Sequence, residues 1–162
     1  MLVSGLVAGF VLGLLVGGDW RRLQTFDLKL WPALLVGALA RAAAPLLGGL
    51  GLASSVLGLV LMAGVAAFNW FLPGALLIAV GSVLNVIVTV ANGGMPVDPA
   101  LLPLAGKSVP SDGLHVLLTP DSRVPVLADV LLIPIVNNIY SVGDVALAVG
   151  GFWMTFRLVK RR

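Results

Sequence analysis

Apolar residues fall along this chain in long blocks, separated by short polar punctuation rather than by the alternation of a strand or the half-turn rhythm of a soluble helix. Residues 1–18 carry no charged side chain and lead straight into Asp19, Trp20, Arg21 and Arg22. A secretory signal carries its positive charge before its apolar core; here the charge follows, so the block is expected to be a retained helix. An amphipathic stretch, Trp20 to Lys29, leads to a second block at about 30–50, interrupted by Arg41 and Pro45. Two more follow at about 53–70 and 73–92, joined by a tight turn from Asn69 to Gly74. Asn92-Gly93-Gly94 reads as a left-handed helix end, and Pro96 and Pro99 prevent continuation. A last block, about 141–157, opens on Ser141-Val-Gly-Asp144, which has capping-box spacing with Asp in place of Glu or Gln.

Between the fourth and fifth blocks the composition changes. Residues 93–129 hold four of the seven aspartates, the single His and six of the ten prolines. Residues 124–140 are apolar again, but two prolines and Asn137-Asn138 break them up, which predicts a re-entrant or interfacial piece packed on the bundle. At ~20 residues per span, the pattern predicts an all-α integral membrane protein. Its 162 residues form one domain of about five spans, with a structured loop and re-entrant segment over 93–140.

Composition agrees. The chain is 59% hydrophobic and 10% charged, with a mean hydropathy of +1.09. Soluble domains carry roughly a quarter charged residues, so a water-soluble globule is excluded. Placing the charges orients the chain. With the N-terminus outside, the connection 19–30 and the tail 157–162 hold seven Lys or Arg on the inner side, against Lys107 and Arg123 outside. That is the positive-inside asymmetry expected in the cytoplasmic membrane of a bacterium, with the C-terminus inside. The basic residues form no surface interleaved with aromatics, so a nucleic-acid role is not expected and the bilayer is the partner.

Few residues carry chemistry. Gly5, Gly9, Gly13 and Gly17 recur every fourth position and form a smooth ridge on the first helix, suited to packing against another span or a protein partner. Ser82, Asn85, Thr89 and Asn92 share one face of the fourth helix, as a hydrogen-bonded seam or a polar cavity. Arg41 lies ~16 Å in from Leu30 at the helical rise, close to the bilayer centre. There it costs from ~2.5 to more than ~10 kcal/mol unless it faces protein or water and finds a partner; Asn85 or an aspartate could serve. Asp121, Asp129 and Asp144 gather at the predicted outer face, where two carboxylates brought together can share a proton and activate a water. His115 has no Cys or Glu companion and reads as a solvated loop residue; no metal or cofactor site is expected.

Two resemblances follow from these residues. The five-helix layout with NGGMPV at 92–97, HVLLTPDSRVPVLADV at 115–130 and SVGDVALAVG at 141–150 resembles a family of small bacterial multi-pass membrane proteins catalogued only as a domain of unknown function. More locally, Tyr140-Ser-Val-Gly-Asp144 with the helix after it is similar to the last-helix motif of lipoprotein signal peptidase (signal peptidase II). Asp121-Ser-Arg123 and Leu127-Ala-Asp129 are similar to that family's first catalytic aspartate and the element after it. This second resemblance implies Asp121 and Asp144 as a catalytic dyad at the outer membrane face; Asp129, with Arg41, Asn85 and Asn92 from the polar positions above, is a candidate to support it. Ser141 stands where that family has Asn, and Leu117-Leu118 where it has Gly-Asn. The expected function is a non-catalytic small subunit or scaffold associating through its helices; the alternative is an aspartyl peptidase of this type. A carrier of lipid or small solute built on Arg41 and the Asn85 seam is a third reading.

Overall fold

Each apolar block becomes a helix in the computed structural model, which describes residues 1–160. Arg161 and Arg162, part of the basic tail, lie outside the described residues. The helices are α1 (Leu2–Leu15), α2 (Trp31–Ala43), α3 (Gly51–Phe68), α4 (Ala75–Asn92) and α5 (Val142–Val159). They pack in the order α1, α5, α4, α3, α2, so the last helix inserts between the first and the fourth. Three helical stretches are long and apolar enough to cross a membrane: Gly48–Phe68, Ala75–Asn92 and Val142–Val159. The apolar helices Leu2–Leu15 and Trp31–Leu46 are shorter, so two of the five expected spans fall below that length.

The expected span at 30–50 is shortened by its own residues. Pro45 has no N–H to give the helical ladder, and the chain tightens into 3₁₀ turns at Ala44–Leu46 and Gly48–Leu50 before α3 begins. Other ends follow their predicted signals. Gly93 caps α4 at φ 68°, and the Gly94 N–H reaches back to the Thr89 carbonyl at 3.0 Å. Ser141 Oγ accepts the Asp144 N–H at 3.0 Å at the start of α5. At the other end of the bundle, fully buried Asn69 gives Nδ2 to the carbonyls of Lys29 and Val65 and accepts the Lys29 N–H. It thereby fastens the entry of α2 to the turn between α3 and α4.

The glycine ridge is used within the chain. A Cβ on Gly5 would run into the Ala148 carbonyl, one on Gly9 into Phe152 and Thr155, and one on Gly13 into Val159. Thr155 Oγ1 donates to the Leu6 carbonyl at 2.7 Å, a bond that this close approach of α1 and α5 permits. Gly17 does not belong to the ridge: it lies beyond the end of α1 at φ 84° with nothing near its side-chain position.

Residues 93–140 differ most from expectation. They form a small β cap of short strands and 3₁₀ turns on one end of the bundle. Strand β1 (Met95–Val97) pairs in parallel with β2 (His115–Leu117), and β3 (Leu131–Ile133) pairs antiparallel with β4 (Asn138–Tyr140). The two prolines of 124–140 are the reason. Pro125 and Pro134 each start a 3₁₀ turn, and Asn137, at φ 47°, turns the chain back into β4. Val97, Leu102, Ala105 and Ile139 form the apolar core of this cap.

Candidate functional site

The cap carries Asp129 to the mouth of the bundle. A parallel bridge joins Val97 to Asp129; the Asp129 N–H donates to the Pro96 carbonyl at 2.8 Å, and its own carbonyl accepts the Asp98 N–H at 3.1 Å. Val124, a β-branched residue at φ 51°, makes the sharp turn that allows this approach. From the bundle side, α5 presents Asp144 in its first turn and α4 presents Asn85. Asn85 Nδ2 donates to Asp144 Oδ1 at 3.1 Å, and Ser141 Oγ donates to Asn85 Oδ1 at 3.0 Å.

Asp129 and Asp144 together line two spaces. One is a small inner cavity of about 80 Å³, whose wall also includes Arg41, Ser55, Asn85 and Thr89. The other is a cleft of about 520 Å³ that opens through the cap past Lys107 and Tyr140. His115 borders both. Its Nδ1 lies 2.7 Å from Asp112 Oδ2, so this half-exposed histidine belongs to the rim of the site and not to a free loop. Burial pushes the Asp112 carboxyl up, but the N–H groups of Leu114 and His115 and the His115 ring together hold it below the ordinary carboxylate range. Lys107 Nζ is bonded to Asn138 Oδ1 across the cleft.

The two carboxylates differ in surroundings. Asp129 is 6% exposed, and its Oδ1 is buried with no hydrogen-bond partner among the described residues. Burial, then the negative charge of Asp144, push its pKa up to about 7; Lys107 acts weakly against them. Asp144 has Asn85 as donor and faces the positive charge of Arg41 across the inner cavity. Arg41 Nη1 donates to Ser55 Oγ at 3.2 Å, and no ion pair within 4 Å joins Arg41 to an aspartate among the described residues. A protonated carboxyl beside a carboxylate, both open to one cleft, can give a proton and take one in the same event.

The predicted site residues therefore separate. Asp144, Asp129, Arg41 and Asn85 come together. Asp121 does not join them: Thr119 and Ser122 close a turn that leaves it on a separate open cleft with Asn92 and Arg123. Asp129 takes the place beside Asp144 that the resemblance to signal peptidase II implies for Asp121. Asn92 is a clamp for the loop, accepting the Arg123 N–H at 2.7 Å and donating to the Arg123 carbonyl at 2.9 Å. Of the seam on α4, Ser82 bonds the Ile78 carbonyl of its own helix, while Asn85 and Thr89 reach the cavity. Ser141, Ser55 and Lys107 are additions. Only the capping signal of Ser141 was visible in sequence. Among the described residues, no group of three His, Asp or Glu could hold a metal ion.

Fold and site define a mostly helical protein with apolar helices of membrane-crossing length and a paired-carboxylate site beneath a small β cap. The chain belongs to DUF5317, a family of unknown function whose model matches residues 21–156, a stretch that contains every residue of this site. No curated protein and no solved structure matches it.

Proposed function

We propose that this protein is a multi-pass aspartyl hydrolase of signal-peptidase-II-like type, cleaving a peptide bond at the outer face of a bacterial cytoplasmic membrane. The observation that carries this reading is Asp129: a buried carboxyl whose Oδ1 has no hydrogen-bond partner among the described residues, with its proton affinity moved to neutral pH, beside Asp144, at the floor of an open cleft. In this mechanism the Asp144 carboxylate, held by Asn85, takes a proton from a water as its oxygen adds to the substrate carbonyl carbon. Protonated Asp129 gives its proton to the carbonyl oxygen. Collapse of the tetrahedral intermediate breaks the C–N bond: one hydroxyl returns its proton to Asp129 as the C=O bond re-forms, and the proton held on Asp144 passes to the leaving nitrogen.

Charge placement supports the orientation. Arg21, Arg22, Lys29, Arg157 and Lys160 gather at the end opposite the cap, and Lys107 and Arg123 lie in the cap. The reading of a non-catalytic subunit or scaffold drew on the glycine ridge, which α5 covers within the chain at Gly5, Gly9 and Gly13.

The test is a comparison of new peptide N-termini, identified by mass spectrometry, in membranes of cells expressing the wild type, Asp129→Asn, Asp144→Asn or Asp121→Asn. Ends present with the wild type and Asp121→Asn and absent with the other two are expected. Ends that persist in Asp129→Asn, or vanish in Asp121→Asn, overturn the assignment.

A further inference from the structure

The end of the bundle away from the cap carries a second concave feature. A cleft of about 410 Å³ lies between the turn joining α3 to α4 and the last turns of α5. Its walls are Trp70, Phe71, Leu76, Leu77 and Trp153, and its single charged residue is Arg157. Trp153 and Arg157 are one helical turn apart on α5, so the Arg157 backbone stands ~6 Å nearer the helix end than that of Trp153. Trp70, Phe71, Leu76 and Trp153 are all more than half exposed, an apolar surface continuous with the lipid-facing sides of α4 and α5.

The cations at this end are not equivalent. Arg21 lies over the ring of Trp20 at 5.9 Å, Lys160 over Phe156 at 5.3 Å, and Arg22 donates to the Lys160 carbonyl at 2.6 Å. Lys29 lies over Phe71 at 5.5 Å, on one wall of the cleft. Arg157, also exposed, has no hydrogen bond, ion pair or ring contact among the described residues, and it lines the cleft. A cation with no such partner among the described residues, at the polar end of an apolar, aromatic-walled cleft, matches an anion that carries hydrocarbon. Aromatic side chains at this level sit where headgroups meet acyl chains.

We propose that this cleft seats one anionic phospholipid, its phosphate on the Arg157 guanidinium and an acyl chain running along Leu76, Leu77 and Trp153. Lys29 adds a second positive charge at the rim. Phosphate suits arginine because its oxygens accept two parallel N–H donors. The site is separate from the carboxylate pair, at the opposite end of the bundle, and does not depend on what that pair does.

Native mass spectrometry of the full chain in mild detergent tests this, with dioleoyl phosphatidylglycerol, dioleoyl phosphatidylcholine or inorganic phosphate added in turn. One phosphatidylglycerol is expected to bind about fivefold more tightly than phosphatidylcholine, the preference that one surface cation supplies. Arg157→Gln is expected to abolish that preference, while Arg21→Gln, which removes the same charge outside the cleft, leaves it. Leu76→Trp, which fills the cleft without altering charge, is expected to abolish it too. Equal binding of the two lipids by the wild type overturns the proposal. So does equal loss in Arg157→Gln and Arg21→Gln, which marks diffuse attraction, or displacement of the lipid by inorganic phosphate, which marks a site for the free ion.

Discussion

Asn85 on α4 gives its Nδ2 to Asp144 Oδ1 and takes the Ser141 hydroxyl proton on its Oδ1, at 3.1 and 3.0 Å. Because Ser141 Oγ is also the acceptor of the Asp144 N–H, the three residues close a ring in which every role is set. The serine has one proton, and it goes to Asn85; the amide of Asn85 can therefore turn only one way, with its N–H toward the carboxylate. Gly143 makes the closeness possible, since a Cβ there would strike the Asn85 side chain.

This ring predicts unequal costs along one face of α4. Asn85→Ala leaves the Ser141 hydroxyl and Asp144 without their shared partner, a loss of ~1–3 kcal/mol for buried polar groups. Ser82→Ala removes a bond to the Ile78 carbonyl of the same helix, which still receives its helical N–H, so a change within ~0.5 kcal/mol is expected. Thermal unfolding of both variants in detergent distinguishes them, and equal shifts would count against the ring as the polar link between α4 and α5.

A second prediction concerns pH. Asp129 carries a pKa of about 7 in the fold against an ordinary 3.8, so the folded state holds its proton more tightly than the unfolded chain. Stability is therefore full below pH ~4 and falls as pH rises toward 7, where the buried carboxyl must ionise. At ~1.4 kcal/mol per tenfold change in proton affinity the loss is up to ~4 kcal/mol. Asp129→Asn removes this dependence. The variant should be more stable than the wild type at pH 8 and, under the proposed mechanism, inactive. An unfolding midpoint that shows the same pH profile in both proteins would refute it.

The glycines of α1 give the third. Gly9→Ala places a methyl against the Phe152 carbonyl and Thr155, where α1 and α5 touch through backbone, and should cost ~1–3 kcal/mol with loss of the Thr155 bond to Leu6. Gly17→Ala meets no neighbour and bears only the strain of a positive φ, ~1–2 kcal/mol. Chemical crosslinking between cysteines placed on α1 and α5 should fall in Gly9→Ala and be unchanged in Gly17→Ala. A loss in both would mean that the ridge runs on to Gly17.

Helices α3, α4 and α5 were legible to within two residues at each end because their signals are local. Length and hydropathy mark the run, and Gly93 and Ser141 mark its limits through bonds that span only a few residues. The four strands were not legible. Each has three residues, and β1 finds its partner about twenty residues away across a proline-rich stretch, so no periodicity forms within either strand. The placing of Asp129 beside Asp144 was not legible for the same reason: the resemblance points to Asp121, and only the bridge from Val97 decides which carboxyl reaches the bundle. The place of His115 at the rim depends likewise on β2 lying beside β1.

By itself, then, the amino-acid order determined the apolar helices, their caps, the asymmetry of charge between the two ends and the small set of polar residues able to carry chemistry. These properties depend on composition and on neighbours a turn or two away. Only the tertiary structure decided that α5 enters between α1 and α4, that the glycine ridge is filled from within, and that Asp129 is the carboxyl beside Asp144. Those outcomes rest on contacts between distant segments, where a hydrogen bond such as Asp129 to Pro96, or the absence of a Cβ at Gly143, selects one arrangement among several that the local pattern allows equally.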